Sequence, residues 1–217
     1  MIDFSARRTM MVDTQVRPSD VTKFPIIEAM LSVERELYVP RDQREAAYMG
    51  ENLAISAQRV ILEPRSFGKL LDALDVHPGD LVLDLGCGLG YSTAVLARMA
   101  EAVVAVEDDS AMAAEAQQRL SEQGVDNAAV VTGPLAEGAA KHGPYDVIIV
   151  EGGVASVPES LLAQLKEGGR IGCIFMEGSL GVARIGHKGA QGLNWRYAFN
   201  ASAPIVAGFE KATAFAL

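Results

Sequence analysis

A glycine-rich turn between an apolar strand and a helix constrains the fold of this chain more than any other feature. Residues 81–85 are typical of a buried strand, glycines follow at positions 86, 88 and 90, and a second apolar strand, 102–107, ends in Glu107, 21 residues after Gly86. Glycines let the backbone approach a ligand closely, and the start of the next helix offers free N–H groups. A carboxylate at the end of the second strand can accept both hydroxyls of a ribose. The pattern therefore predicts a sheet that binds a nucleoside-bearing cofactor.

Strands and helices alternate from this turn onward. The predicted strands are 81–85, 102–107, 128–132, 145–150 and 170–176, and the predicted helices between them are 91–100, 110–123 and 158–166. This alternation indicates right-handed crossovers and a parallel sheet. Short apolar pieces in 180–217 fit antiparallel strands that complete it. The predicted fold class is α/β, with a Rossmann-like, doubly wound, mostly parallel seven-stranded sheet and an N-terminal helical extension.

The first 50 residues predict helices over 3–16 and 21–32, whereas 41–64 shows no regular pattern. An irregular loop ahead of such a core is well placed to cover a cofactor. We therefore divide the chain into a helical extension with an active-site loop, 1–64, and a Rossmann-like core, 65–217.

Composition excludes several classes of function. The net charge is −9 and lysines and arginines form no cluster, which argues against a protein that binds nucleic acid through the phosphate backbone. No run of 18 apolar residues and no signal-like start is present, so we expect a cytoplasmic protein without a membrane segment. The two cysteines and three histidines lack the spacing of metal ligands, and no metal site is predicted.

The spacing of the glycines bears on which cofactor is bound. A dinucleotide fingerprint has the form G-x-G-x-x-G, whereas this turn reads D-x-G-x-G-x-G from Asp84. That order resembles the first motif of class I S-adenosylmethionine-dependent methyltransferases. No basic side chain stands near the turn to meet a pyrophosphate, and acidic groups suit a cationic sulfonium and its amino group. S-adenosyl-L-methionine is therefore the predicted cofactor, with a nicotinamide cofactor or a purely structural turn as alternatives.

Four segments carry a more specific resemblance. Residues 26–40, 82–97, 143–150 and 165–170 are similar to the patterns V-x-x-A-M-x-x-V-x-R-x-x-F-V-P, V-L-x-I-G-x-G-x-G-Y-x-x-A-x-L-A, A-P-Y-D-x-I-I-V and L-x-x-G-G-R. These are motifs of the protein-L-isoaspartate O-methyltransferase family, which the chain resembles over nearly its full length. The resemblance implies methylation of L-isoaspartyl carboxylates in damaged proteins, with proteins or peptides as substrates.

Two segments depart from that family. Its members carry Thr-Ile-Ser closely followed by proline in the loop over the methyl donor. Ala54-Ile55-Ser56 is one match, but if Pro64 is the matching proline, the serine position falls on Leu62 and the hydroxyl is absent. The family also has Gly-Asp-Gly after the third strand, where this chain has Gly133-Pro134-Leu135.

Strand order and the resemblance together assign roles at the cofactor. The backbone of the glycine turn would contact the methionine part of the cofactor. Asp84, the acid before the turn, would neutralise the ammonium group of the cofactor or orient the turn. Glu107, the acid that ends the second strand, would accept the ribose hydroxyls. Asp108 and Leu135 would border the adenine. The predicted cofactor-binding residues are thus Asp84, Gly86, Cys87, Gly88, Glu107, Asp108 and Leu135.

Ser56 is the predicted catalytic residue, as the hydroxyl of the loop. Arg59 or Arg65 is a candidate partner for a substrate carboxylate, although each also fits an ordinary surface arginine. Glu151 stands where the family commonly has a small or hydroxyl residue, and its role is open. Two other functions fit the sequence: methylation of a different carboxylate or small molecule, and a catalytically silent cofactor-binding module.

Overall fold

The computed structural model describes residues 3–211. The N-terminal part is helical, as predicted. Its elements are α1 (Phe4–Met11), a π-helical turn (Val12–Val16), three 3-10 turns (Arg17–Ser19, Arg35–Leu37 and Arg41–Ala46) and α2 (Phe24–Ser32).

The segment predicted as an irregular loop contains a small hairpin. Its strands are β1 (Leu53–Ala54) and β2 (Val60–Ile61), which pair antiparallel. Helix α3 (Pro64–Leu74) follows directly, with Pro64 at its first position, where a missing N–H costs nothing. The segment that should cover the cofactor is therefore an ordered two-stranded element.

A sheet of seven strands forms the centre of the described part of the chain. Its strands are β3 (Leu81–Leu85), β4 (Ala102–Glu107), β5 (Ala128–Thr132), β6 (Tyr145–Val154), β7 (Leu165–Glu177), β8 (Leu180–Gly189) and β9 (Gly192–Asn200), in the order β5-β4-β3-β6-β7-β8-β9. β8 pairs antiparallel with β7 and with β9, and the other neighbours are parallel. The connecting helices are α4 (Tyr91–Ala97), α5 (Ser110–Glu122) and α6 (Glu159–Leu162). The predicted fold class is confirmed.

The strand order creates a crevice at the carboxyl end of β3. The chain runs from β3 to β4 and β5 on one side, then returns to place β6 on the other side of β3. Leu85 is paired with Val106 of β4 and with Val150 of β6. Ligands of open α/β sheets bind where the order reverses in this way. The residues that follow these strands therefore meet at one place.

Several predicted helix bounds are wrong, and the helix predicted over 21–32 begins only at Phe24. The helix predicted over 158–166 stops at Leu162, and Leu165 is already paired with Tyr145 in the sheet. Two consecutive glycines, 168 and 169, disfavour helix here and allow the strand to begin early. The helix predicted over 91–100 ends at Ala97. The antiparallel strands predicted after residue 180 are confirmed, whereas the apolar piece 212–217 lies outside the described residues.

The N-terminal helices share one apolar core with the sheet. Met11, Val16 and Met30 are at most 1% exposed and belong to the same buried cluster as Leu70 and Val82. The division of the chain at residue 64 remains a prediction. Within residues 3–211, no helix is long and apolar enough to cross a membrane.

Candidate active site

The glycine turn presents backbone to the crevice. Gly86 and Gly88 have φ angles of 80° and 57°, in the left-handed region where a side chain is strained. A Cβ on Gly88 would lie 2.6 Å from Cδ1 of Ile55, so this hairpin side chain rests directly on the turn. Cys87 is 4% exposed between the two glycines. The structure brings the three predicted turn residues to the crevice.

Glu107 joins the end of β4 to the glycine turn. Its side chain is fully buried, and Oε2 accepts a hydrogen bond of 2.9 Å from the N–H of Gly88. Oε1 accepts from the N–H groups of Asp108 and Asp109 at 3.0 and 3.3 Å. Burial raises the pKa of Glu107, and Asp108 acts in the same direction, whereas Arg59 and the backbone donors oppose the shift. The carboxylate stands at the position from which an acid contacts a ribose in doubly wound folds.

Arg59 forms an ion pair with the carboxylate of Glu107. Its Nε donates to Oε1 of Glu107 at 3.2 Å, and its Nη2 pairs closely with Asp108. Arg59 lies in the hairpin and is 4% exposed, so the ion pair is buried. Arg65, the other candidate for a substrate carboxylate, contacts Glu63 at 3.7 Å and keeps a half-exposed side chain. In this structure Arg59 therefore neutralises both acids that were predicted to bind the cofactor.

Asp84 holds the start of α4 against β3. Its Oδ2 accepts hydrogen bonds from the hydroxyls of Ser92 and Thr93 at 2.7 and 2.6 Å, and its side chain is fully buried. Burial raises the pKa of Asp84 to about 6, with the two hydroxyls opposing and Glu107 contributing to the rise. Of the two roles predicted for Asp84, these bonds support orientation of the turn.

Leu135 and Asp108 are the two residues predicted to border an adenine; Leu135 lies next to Gly86, and Asp108 follows Glu107 at the end of β4. Leu135 is 1% exposed, and its Cδ1 would lie 3.5 Å from a Cβ on Gly86. The side chain of Asp108 is 33% exposed. Replacement of the family's Gly-Asp-Gly thus leaves an apolar wall at Leu135, and both contacts with adenine remain predictions.

Ser56 is exposed at the bend of the hairpin, where its N–H donates to the carbonyl of Arg59 at 3.3 Å. Leu62 is instead 1% exposed and lines a small cavity together with Gly86 and Cys87. Pro64 opens α3 two residues later. This arrangement favours the alignment that puts Leu62 at the family's serine position. The catalytic role of Ser56 stays a prediction.

Sequence reasoning missed Arg35 as part of this region. It is 1% exposed, donating from Nε to the carbonyl of Ala47 at 2.6 Å and from Nη2 to that of Leu62 at 2.8 Å. Its guanidinium also lies over the ring of Tyr91, 4.6 Å from the centroid. The sequence did contain a signal, because Arg35 and Tyr91 each match a fixed position of a family motif, in segments 26–40 and 82–97. Arg35 thus connects the N-terminal part to the cavity.

The fold and this site define a class of protein: a Rossmann-like methyltransferase with a glycine turn and a ribose-type carboxylate. The family model "Protein-L-isoaspartate(D-aspartate) O-methyltransferase" matches residues 7–178. The chain belongs to this family, so the resemblance predicted from the motifs is confirmed.

Individual relatives of this chain carry the name of the same family. A protein-L-isoaspartate O-methyltransferase of Koribacter versatilis is 35% identical over 168 residues, which cover 77% of this chain and 76% of that protein. Protein-L-isoaspartate O-methyltransferase 2 of Pelobacter propionicus is 36% identical over 165 residues, covering 76% and 73%.

Solved structures share the fold. A protein-L-isoaspartate O-methyltransferase superposes with a TM-score of 0.80 at 24% identity, over 95% of this chain and 66% of the other chain. This chain therefore spans about two thirds of that protein. A Plasmodium falciparum protein assigned to the same family, solved in complex with S-adenosyl-L-homocysteine, superposes with a TM-score of 0.77 at 19% identity, covering 94% and 98%.

Proposed function

We propose that this chain transfers the methyl group of S-adenosylmethionine to the side-chain or α-carboxylate of L-isoaspartyl residues in damaged proteins. The observation that carries the proposal is the buried carboxylate of Glu107, bound to the N–H of Gly88 where β3 and β4 end. Family membership supplies the acceptor. We further propose a cytoplasmic protein whose substrates are proteins rather than nucleic acids, in keeping with a net charge of −9.

The residues present fit this donor in part. The glycine turn and Glu107 offer backbone and a diol acceptor, and Leu135 offers an apolar wall. Arg59 must leave Glu107 before ribose hydroxyls can bind it, and Ile55 must leave Gly88. Donor binding therefore requires the hairpin to move. If only the open form binds the donor, the apparent dissociation constant for the donor equals that of the open form divided by the fraction of molecules that are open.

The chemistry asks little of protein acids and bases. S-adenosylmethionine supplies a methyl group on a sulfonium, and a carboxylate acceptor is ionised at neutral pH. The protein has to position the two reactants and exclude water. The buried turn and the apolar side chains of the hairpin are suited to both tasks.

Methyl transfer to an isoaspartyl peptide tests the proposal. With labelled donor, we expect label on the isoaspartyl peptide and none on the matched aspartyl peptide, because only the former carries the acceptor. Calorimetric titration of the donor accompanies the assay. Label on neither peptide, with the donor bound, would reject isoaspartyl repair.

A second function differs only in the acceptor. Leu62 lies beside the glycine turn where the better alignment puts the family's serine, so the acceptor contact made by that hydroxyl is absent. This change favours a different carboxylate or a small molecule as the acceptor. Transfer of label to such a compound, but not to the isoaspartyl peptide, would support this function. Donor binding with no acceptor found would indicate a silent cofactor-binding module.

A further inference from the structure

Glu151 places a second buried carboxyl group in the crevice. It follows Val150, whose partner in β3 is Leu85, and its carbonyl oxygen would lie 3.8 Å from a Cβ on Gly86. The register between β6 and β7 shifts between Ile149 and Gly153, and irregularities of this kind redirect side chains near active sites. Glu151 is 5% exposed. A titratable group thus faces the switch point from the side opposite to Glu107.

Polar atoms around this place lack partners. Within residues 3–211, Oε1 of Glu151 is buried without a hydrogen bond, and Nη1 of Arg35 and the hydroxyl of Tyr91, whose side chains contact each other, make no hydrogen bond of normal geometry. Glu151 and Tyr91 line the same cavity as Leu62, and Arg35 stacks on Tyr91. A buried polar group without a partner destabilises the folded protein, and such groups are rare in native proteins. Three of them together indicate a polar ligand that completes the set.

The surroundings favour the neutral form of Glu151. Burial raises its pKa well above the usual range, and Asp84 on β3 adds to the rise, while Arg35 opposes it. Tyr91 faces it from α4, and Cys87 from the turn; the pKa values of both are also raised by burial, so each is neutral. A protonated carboxyl group has an O–H to donate, which a carboxylate lacks. A carboxylic acid kept neutral by its site can act as a donor in an enzyme.

We propose that Glu151, as a neutral carboxylic acid, donates the hydrogen bond that holds the acceptor carboxylate for methylation, in place of the hydroxyl missing at Leu62. The inference rests on the proposed function and deepens it. It also assigns Nη1 of Arg35 and the hydroxyl of Tyr91 as further donors at the same carboxylate. An acceptor with a negative charge is thus the class of substrate that the cavity selects.

The proton on Glu151 does not move in the reaction. One oxygen of the acceptor carboxylate forms a bond to the methyl carbon, the bond from that carbon to sulfur breaks, and its electron pair stays on sulfur. The products are a neutral methyl ester and a neutral thioether, so no base is consumed. The cavity is about 10 Å³, room for one water, and the hairpin strand Val60–Ile61 lines it. The acceptor therefore also requires the hairpin to move.

Two variants of Glu151 distinguish whether its side chain donates a hydrogen bond to the acceptor or repels the acceptor as an anion. In Glu151→Ala the KM for the isoaspartyl peptide rises about tenfold, because one hydrogen bond to a charged group is lost. In Glu151→Gln, whose amide still donates, the rise is about threefold or less. Asp146→Asn, at the opposite end of the same strand, is the matched control, since Asp146 accepts from the N–H of Leu81 far from the crevice. Lower KM values in both Glu151 variants would show a repelling carboxylate and overturn the proposal.

The pH profile provides a readout that a structural role would not change. The acid form of Glu151 is needed, so kcat/KM of the wild type falls as pH rises through the raised pKa of Glu151. Glu151→Gln lacks this falling limb. An identical limb in both proteins would overturn the proposal.

Failure of the proposed function is distinguishable from failure of this inference. A wild-type protein that binds the donor and leaves the isoaspartyl peptide unmethylated rejects both. An active wild type whose KM is unchanged in Glu151→Ala rejects only the role of Glu151. The infrared carbonyl band of a protonated carboxylic acid, present at neutral pH in the wild type and absent in Glu151→Gln, tests the neutral form directly. Absence of that band from the wild type would overturn the inference.

Discussion

Glu107→Gln lowers the affinity for S-adenosylmethionine by about 100-fold, since two charge-assisted hydrogen bonds from ribose hydroxyls each contribute about 1.5 kcal/mol or more. The amide keeps the shape of the side chain but has one accepting oxygen instead of two. Its NH₂ group must also face donors, because Gly88, Asp108 and Arg59 all donate to this carboxylate. Calorimetric titration of the donor measures the loss.

Glu101→Gln is the matched control for that variant, because Glu101 is exposed at the opposite end of β4. Its donor affinity should equal that of the wild type. An unchanged affinity in Glu107→Gln would mean that the ribose is held elsewhere, and the proposed donor site would be wrong. Thermal unfolding of both variants shows whether each remains folded.

Arg59→Met raises the affinity for the donor, the opposite of the effect of Glu107→Gln, and lowers the stability of the donor-free protein. Removal of the guanidinium frees Glu107 for ribose hydroxyls, so the affinity for S-adenosylmethionine rises about tenfold if closure is worth about 1.4 kcal/mol. The same change leaves Glu107 without its buried counter-ion. Because three backbone N–H groups still bind that carboxylate, we expect a loss of about 1–3 kcal/mol in the free energy of unfolding.

Arg41→Met removes the same charge from an exposed site and is expected to leave both quantities unchanged. Weaker donor binding in Arg59→Met would contradict the competition between Arg59 and the donor. It would place Arg59 among the groups that hold the bound donor. The measurements are donor calorimetry and thermal unfolding without donor.

Local sequence determined the sheet and the place of the residues proposed to bind the donor. The strands 81–85 and 102–107 were predictable because parallel strands buried on both faces are continuous apolar runs. The order of the strands then brought Glu107 to the glycine turn, as expected of a doubly wound fold. The short helix α6 was overpredicted because pairing of Leu165 with Tyr145 overrides the local pattern.

The hairpin that covers the candidate site was not predictable from the local pattern of apolar and polar residues. The hairpin strands have two residues each, too short for a periodic signal, and pairing across the chain defines them. Arg59 meets acids 48 and 49 residues away, and a single sequence does not specify such a contact. Arg35 was missed for the same reason, since the carbonyls that accept from it are 12 and 27 residues away.

The hairpin has a consequence for kinetics. Ile55 lies on the glycine turn, Arg59 on Glu107, and Val60–Ile61 along the cavity at Glu151, so one element covers the places proposed for donor and acceptor. Entry of donor and acceptor and departure of both products then depend on one opening event, and its rate sets an upper limit on turnover. Where opening limits turnover, a looser hairpin raises the rate of the cycle and also admits water, so the residues that close the hairpin set both the rate and the protection of the reacting groups.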